Sequence, residues 1–254
     1  MKNNETLSCW GNLWLKDKYY ASHDISMETD GISQLFLRAL NGVKENSSML
    51  EVGSGPGTRS IPIAKEKQIQ LSLIDILPSA HSLAQKRADR YGVLAKCIVA
   101  DGLNLPVADD SYDVVVSIGL NEHFYNEERS KIFQEMWRVT KKGGKTVVIV
   151  PNLLGIIGIE QAVKEINGTW TFGPAKLFDK KELRGKMELN DFEKIELFGV
   201  SVFSSPVRLL PKNLQRAVFS SELWGKITSI PGNLNTSFIL NQWFGEEIMA
   251  VGYK

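Results

Sequence analysis

Three glycines at alternating positions, Gly53, Gly55 and Gly57, close a short, mostly apolar run that starts at Ser48. Residues 58–67 behind them read as a helix. Strand, glycine turn and helix in that order is how an open α/β sheet presents a ligand at the carboxyl end of a strand. Glycine lets the backbone take positive φ and lets a ligand approach with no Cβ in the way. The dinucleotide fingerprint G-x-G-x-x-G is not met, because Thr58 stands at its third glycine position and the spacing is G-x-G-x-G. No Lys-Ser/Thr pair follows, which excludes a P-loop.

The chain after this turn alternates strands and helices. Strands are expected at 48–52, 70–76, 95–100, 112–119 and 145–150. Helices are expected at about 58–67, 79–91 and 126–139. Residues 142–144, Lys-Gly-Gly, read as the turn into the fifth strand. The run from Tyr112 to Gly119 is rich in β-branched residues, as in parallel strands buried on both faces. Repeated β-α units predict a parallel, doubly wound α/β sheet. The second strand ends at Asp75, about 20 residues beyond the glycines, where a carboxylate can hold a ribose diol. The third strand runs into Asp101-Gly102.

Glu51-Val-Gly-Ser-Gly-Pro-Gly57 resembles motif I of the class I S-adenosylmethionine-dependent methyltransferases. The resemblance extends over residues 48–150. Asp75 is similar to the family's ribose-binding acid and Asp101-Gly102 to its adenine-binding pair. Residues 109–115 and 138–145 are similar to the family's entries into strands four and five. It implies a Rossmann-like, doubly wound, seven-stranded sheet with an antiparallel last strand, formed by residues 247–254 between strand five and strand six, the latter read at residues 192–200 from their polar–apolar alternation. It also implies S-adenosyl-L-methionine as cofactor. Its site would draw on Glu51, Gly53, Ser54, Gly55, Gly57, Asp75, Ile76, Asp101, Gly102, Leu103, Ser117 and Asn121. One departure stands after strand four: Asn121-Glu122-His123 has Asn where relatives commonly carry an apolar residue.

Residues 1–45 read as an N-terminal arm with cap helices, and residues 46–254 as the methyltransferase domain. Residues 152–190 and 201–244 are expected as insertions that cap the substrate side. The arm is rich in aromatics; Trp10 and Trp14 read as packing residues, while Tyr19, Tyr20 and His23, with Trp170 and Phe172 later, are candidates for a substrate pocket. Arg208, Lys212 and Arg216 recur every four positions and read as a solvated face of a cap helix. Methyl transfer from a sulfonium can rest on positioning alone, so no universal catalytic residue is expected. His123 is the candidate general base, a neutral imidazole near neutral pH. The alternative for His123 is a structural role, bonded to backbone or to Glu122.

Thirty basic and 29 acidic residues give a net charge of +1, without the electrostatic footprint of a nucleic-acid binder. Two cysteines are too few for a disulfide scaffold or a four-ligand zinc site, and the three histidines are scattered, so no metal is expected. The amino terminus lacks the apolar stretch of a signal peptide, and the longest apolar region is too short and too broken to span a membrane. A soluble, cytoplasmic enzyme is therefore expected. It would methylate a small molecule with apolar or aromatic surface. The rivals are an NAD-dependent oxidoreductase, disfavoured by Thr58 and Asp101; a protein or RNA methyltransferase, disfavoured by the charge balance; and a cofactor-binding module without activity.

Overall fold

The computed structural model describes residues 6–12, 27, 30–171, 173–200, 214 and 245–254. Tyr19, Tyr20, His23 and Phe172 lie outside the described residues. So do Trp14 and the 201–244 excursion with its three basic residues, Leu214 apart.

Seven strands form one sheet in the order β3-β2-β1-β4-β5-β7-β6. They are β1 (Ser48–Val52), β2 (Gln70–Asp75), β3 (Ala95–Val99), β4 (Tyr112–Ile118), β5 (Thr140–Pro151), β6 (Ile195–Val200) and β7 (Glu247–Tyr253). β1 to β5 are parallel neighbours, and β7 runs antiparallel between β5 and β6. The helices are α1 (residues 6–12), α2 (Gly31–Ala39), α3 (Ser60–Lys67), α4 (Pro78–Tyr91), α5 (Asn126–Val139), α6 (Ile156–Ile166) and α7 (Lys180–Glu188). Among the described residues no helix is long and apolar enough to cross a membrane.

Side chains along the central strands alternate between two cores. Met49, Val114, Val116, Val147, Ile149, Met249 and Val251 pack with α2, α3 and α4 on one face. Leu50, Val52, Val115, Val148, Val150, Ile248 and Ala250 pack with α5 and α7 on the other. This is why the central strands read as mostly apolar runs: both faces are covered, so apolar residues dominate both alternate positions.

Two local features differ from the sequence expectation. Residues 142–144 do not end an element; they form a bulge inside β5. Tyr112 pairs with Thr140 but Val114 with Lys145, so the register slips across the two glycines. Gly143 has φ 75°, and its N–H donates to the Lys254 carbonyl at 2.7 Å. Lys254, just beyond β7, returns a bond by donating its N–H to the Gly144 carbonyl at 3.2 Å. The second feature is α7, which the expected 152–190 insertion had absorbed. Asp179 caps it by accepting from the Glu182 N–H at 2.7 Å, and Leu183 and Met187 are fully buried in the core. Asp-x-x-Glu before apolar residues at helical spacing is a legible capping signal. This part of the segment belongs to the sheet's cover.

A Cβ added at Gly144 would lie 2.8 Å from the Lys141 carbonyl oxygen and 2.9 Å from that of Asp113. Both are backbone atoms in the ladder and cannot yield separately. Gly144→Ala is expected to destabilise the fold by about 1–3 kcal/mol, the usual range for forced overpacking. Urea denaturation checks this, and a loss below about 0.5 kcal/mol, ordinary for a surface change, would contradict the constraint.

Candidate active site

The sheet's strand order reverses between β1 and β4. A cavity of about 420 Å³ opens there, at the carboxyl ends of β1 to β5 and the amino end of β7. Because β7 is antiparallel, its first residue, Glu247, pairs with Pro151 at the end of β5 and reaches the same rim.

Gly53, Gly55 and Gly57 all have positive φ, at 67°, 50° and 61°. Their tasks differ. Gly53 and Gly55 line the cavity; Gly57 does not. A Cβ on Gly57 would meet Ile61 Cδ1 at 2.7 Å and Leu73 Cδ1 at 3.0 Å, so this glycine lets α3 close against β2.

Asp75, at the end of β2, fixes the turn. One carboxylate oxygen accepts from the Gly55 N–H at 2.8 Å and the other from the Leu77 N–H at 2.9 Å. Burial pushes Asp75 above the usual carboxylate range, against the backbone donors that hold it down. From the other side, Arg87 on α4 donates to the Pro56 carbonyl at 3.3 Å and to the Thr58 hydroxyl at 2.8 Å. That guanidinium is 2% exposed.

Glu51 lines the cavity while only 3% exposed, and its Oε2 has no hydrogen-bond partner among the described residues. Burial pushes its carboxyl up to about 8; Ser60 and Arg59 pull it down in part, and Asp75 pushes further up. Arg59 also faces the cavity and pairs at 2.9 Å with Asp30, the residue that caps α2 through the Ser33 N–H. Burial opposes the charge on Asp30, but Arg59 and the Ser33 bonds hold its carboxyl below the usual range. With Asp101 and Glu247 the cavity wall carries four carboxyl groups and one guanidinium.

Of the residues expected from sequence, Glu51, Gly53, Ser54, Gly55, Asp75, Ile76, Asp101, Gly102 and His123 line this one cavity. Gly57, Leu103, Ser117 and Asn121 do not. Leu103 donates its N–H to Asp101 Oδ1 at 2.9 Å, shaping the turn from behind. Ser117 and Asn121 are fully buried, and the Ser117 hydroxyl donates to Asn121 Oδ1 at 2.6 Å. The Asn that departs from the family pattern therefore faces a strand hydroxyl, where an apolar residue would leave that hydroxyl without its acceptor. Trp170 is also away from the cavity, its indole N–H turned back to the Gly173 carbonyl at 2.8 Å.

His123 ends a 3₁₀ turn (Asn121–His123) after β4. Its Nδ1 lies 3.0 Å from the Pro174 carbonyl oxygen. A carbonyl only accepts, so Nδ1 carries the proton and, in the neutral ring, Nε2 is the free base. The backbone bond expected of a structural histidine is thus the bond that readies its other nitrogen. The Trp10 ring meets the imidazole edge-on, with centroids 5.6 Å apart and planes at 84°. Trp10, with Thr6 and Leu7 from α1, lines the cavity. Sequence reasoning gave Trp10 a packing role only; nothing in a lone helical tryptophan tells which cavity its ring will close.

Residues 49–144 match a family model described as a methyltransferase domain. Over 108 residues the chain is 34% identical to ajmaline N-methyltransferase of Rauvolfia serpentina, covering 42% of this chain and 36% of the plant protein. An uncharacterised methyltransferase of Bacillus subtilis (strain 168) is 28% identical over 129 residues, 50% of this chain and 68% of that protein. The match spans about a third of the length of the plant relatives. Among solved structures, a possible histamine N-methyltransferase of Thermotoga maritima superposes with a TM-score of 0.63 at 16% identity, over 97% of this chain and 99% of that one. Phosphoethanolamine N-methyltransferase 2 of Haemonchus contortus, solved with phosphomonomethylethanolamine and S-adenosylhomocysteine, gives 0.61 at 16% identity, over 98% and 57%. At such identities the likeness is one of fold.

Glu51 provides a pH test. Burial pushes its folded carboxyl up to about 8, well above the usual carboxylate range, so the protonated form favours the folded state. That contribution is complete below the unfolded pKa and is lost as pH rises through the folded one. Between about pH 5.5 and 7.5 the wild type should lose stability relative to Glu51→Gln by about 1.4 kcal/mol per pH unit. Urea denaturation of both proteins across that window measures the slope; a constant difference would contradict the buried, unpaired carboxyl.

Proposed function

We propose, for a chain whose residues 49–144 form a methyltransferase domain on the class I sheet, that it transfers a methyl group from S-adenosyl-L-methionine to a small-molecule acceptor. The observation that carries the reading is the convergence on one cavity of the glycine turn, Asp75, Asp101-Gly102 and the unpartnered carboxyl oxygen of Glu51.

The residues fit the cofactor. A buried acceptor without a donor is costly unless a ligand completes it, and Glu51 Oε2 calls for a donor or cation. Asp75 and Asp101 offer acceptors at the ends of β2 and β3, and Gly102 lets that turn pack on the core, where a Cβ would stand 3.0 Å from Val52 Cγ1 and Ile132 Cδ1. When bound, S-adenosylmethionine supplies an electrophilic methyl group on a sulfonium. Glu51, Asp75 and Asp101 would hold it, and the turn at Gly53 and Gly55 leaves room beside them.

The remaining wall, Leu7, Trp10, Ile32, Phe124 and Ile149, is apolar and aromatic. Such a surface excludes water and favours an acceptor of small-molecule size with apolar area. His123 would take the acceptor's proton at Nε2, its Nδ1 proton being held by the Pro174 carbonyl. The plant and nematode relatives are named for methylation at nitrogen, and an acceptor nitrogen suits the acidic wall.

Calorimetric titration with S-adenosylmethionine and NAD in parallel tests the reading. Binding of the first alone is expected; binding of NAD alone would overturn it. Asp75→Ala should weaken S-adenosylhomocysteine binding by about 1.5–3 kcal/mol, the range for hydrogen bonds to a charged group. Unchanged affinity in a folded variant would remove Asp75 from the site. With methyl-labelled cofactor and a panel of apolar amines and phenols, His123→Gln should lower kcat about 10²-fold, the lower range for a positioned base, with cofactor affinity retained. A folded His123→Gln protein with full turnover would leave transfer to positioning alone.

A further inference from the structure

Arg129 on α5 is 2% exposed and does not line the cavity, yet its guanidinium reaches one short segment beside the site. Its guanidinium lies 3.5 Å over the Phe178 ring. Nη1 pairs with Glu182 Oε1 at 3.0 Å, and Nη2 donates to the Lys176 carbonyl. From Lys176 the segment runs back along the 3₁₀ turn: the Lys176 N–H donates to the Glu122 carbonyl at 2.8 Å, and the Pro174 carbonyl receives the His123 Nδ1 proton at 3.0 Å. Gln161 holds the carbonyl between them, donating to Ala175 at 2.8 Å. One residue further, Gly173 has φ 72°, and a Cβ there would stand 3.2 Å from Thr6 Cα, so α1 rests directly on the segment. Residues 173–178 thus join the imidazole to the helix that carries Trp10.

We propose that Arg129 is the positioning residue of this site: by clamping residues 174–178 it keeps the Pro174 carbonyl on His123 Nδ1 and so keeps Nε2 unprotonated and available. Packing alone gives little reason for a guanidinium here. Burial depresses its pKa, with Glu182 and Glu122 opposing, and a buried ion pair is weak support for stability compared with apolar residues of the same volume. What the planar fork supplies, and an apolar side chain does not, is a fixed direction for a backbone carbonyl and a carboxylate at once. If the clamp is released, the Pro174 carbonyl is free to leave the ring. The imidazole proton can then move to Nε2, where it blocks acceptance of another.

The inference rests on His123 being the base of the proposed methyl transfer, and the test separates the two. The full chain is labelled with ¹⁵N-histidine, and His123 is assigned by its loss in His123→Gln. The proton–nitrogen correlation pattern of the ring then reports which nitrogen is protonated. Wild type is expected to show a single Nδ1–H tautomer. Arg129→Met, which keeps volume without the fork, is expected to show a mixture with Nε2–H. It should bind S-adenosylhomocysteine within about twofold of wild type and, with an acceptor from the amine and phenol panel, lower kcat about tenfold, part of a positioned base's contribution. A folded Arg129→Met protein that keeps the pure Nδ1–H tautomer overturns the proposal, as does a shifted tautomer with unchanged kcat. If Arg129→Met does not fold, Arg129→Lys, which keeps the charge without the fork, is read in the same way. No binding of S-adenosylmethionine by wild type would instead overturn the methyltransferase reading and leave the tautomer result to judge Arg129 as an organiser of His123.

Discussion

Two backbone N–H groups, of Gly55 and Leu77, converge on the carboxylate of Asp75, and the site depends on that convergence. The glycine turn belongs to β1 and Leu77 to the entrance of α4, so one side chain sets the spacing between the first two β-α connections. The turn could not approach Asp75 in this way with side chains in place, because its glycines hold left-handed backbone. Arg87 secures the turn from α4, with its guanidinium on the Pro56 carbonyl and the Thr58 hydroxyl. Carboxylate and guanidinium both hold one short loop, at Gly55 and at Pro56 and Thr58. That is how a segment built from the most flexible residue becomes a fixed wall.

The same region concentrates buried charge, and the partners differ in how well they satisfy one another. Asp30 and Arg59 form a bidentate pair that binds α2 to the start of α3, with distances of 2.9 and 3.3 Å. Glu51 is close to that pair but retains one oxygen without a donor among the described residues. A fold selected only for stability would put an apolar residue there, since an unsatisfied buried carboxyl is destabilising. The local cost is comprehensible if a ligand supplies the missing donor, because strain and unsatisfied groups gather where a protein binds. The fold also brings Glu247 to this wall from the far end of the sequence, through the reversed direction of β7.

On the opposite side of the cavity, order comes from backbone more than from side-chain pairs. His123, Glu122, Ala175 and Lys176 exchange their bonds mainly through main-chain carbonyls and N–H groups. A histidine's tautomer is then decided by the path of a neighbouring segment, and anything that fixes that segment acts on the histidine. Arg129 and Gln161 are both positioned to do so, from α5 and α6.

What the sequence determined by itself is the sheet's alternating plan and the carboxyl-end site. Apolar runs such as 112–118 read as strands covered on both faces, and the alternating glycines after Glu51 read as a tight strand-to-helix turn at the end of the first strand. Asp75 follows from its place at a strand end, and Asp101 from the resemblance. The antiparallel β7 was available only by resemblance, because a run of seven strand residues does not state a direction. The tertiary structure alone decided the rest. Lys-Gly-Gly became a bulge because the Lys254 backbone came to pair with it. Ser117 and Asn121 turned to one another, the buried hydroxyl finding its acceptor in the amide oxygen. Trp10 became part of the cavity wall, and His123 acquired a defined tautomer, through contacts with residues 173–174. Those contacts join positions some 50 and 160 residues apart, and local periodicity carries no information about such pairs.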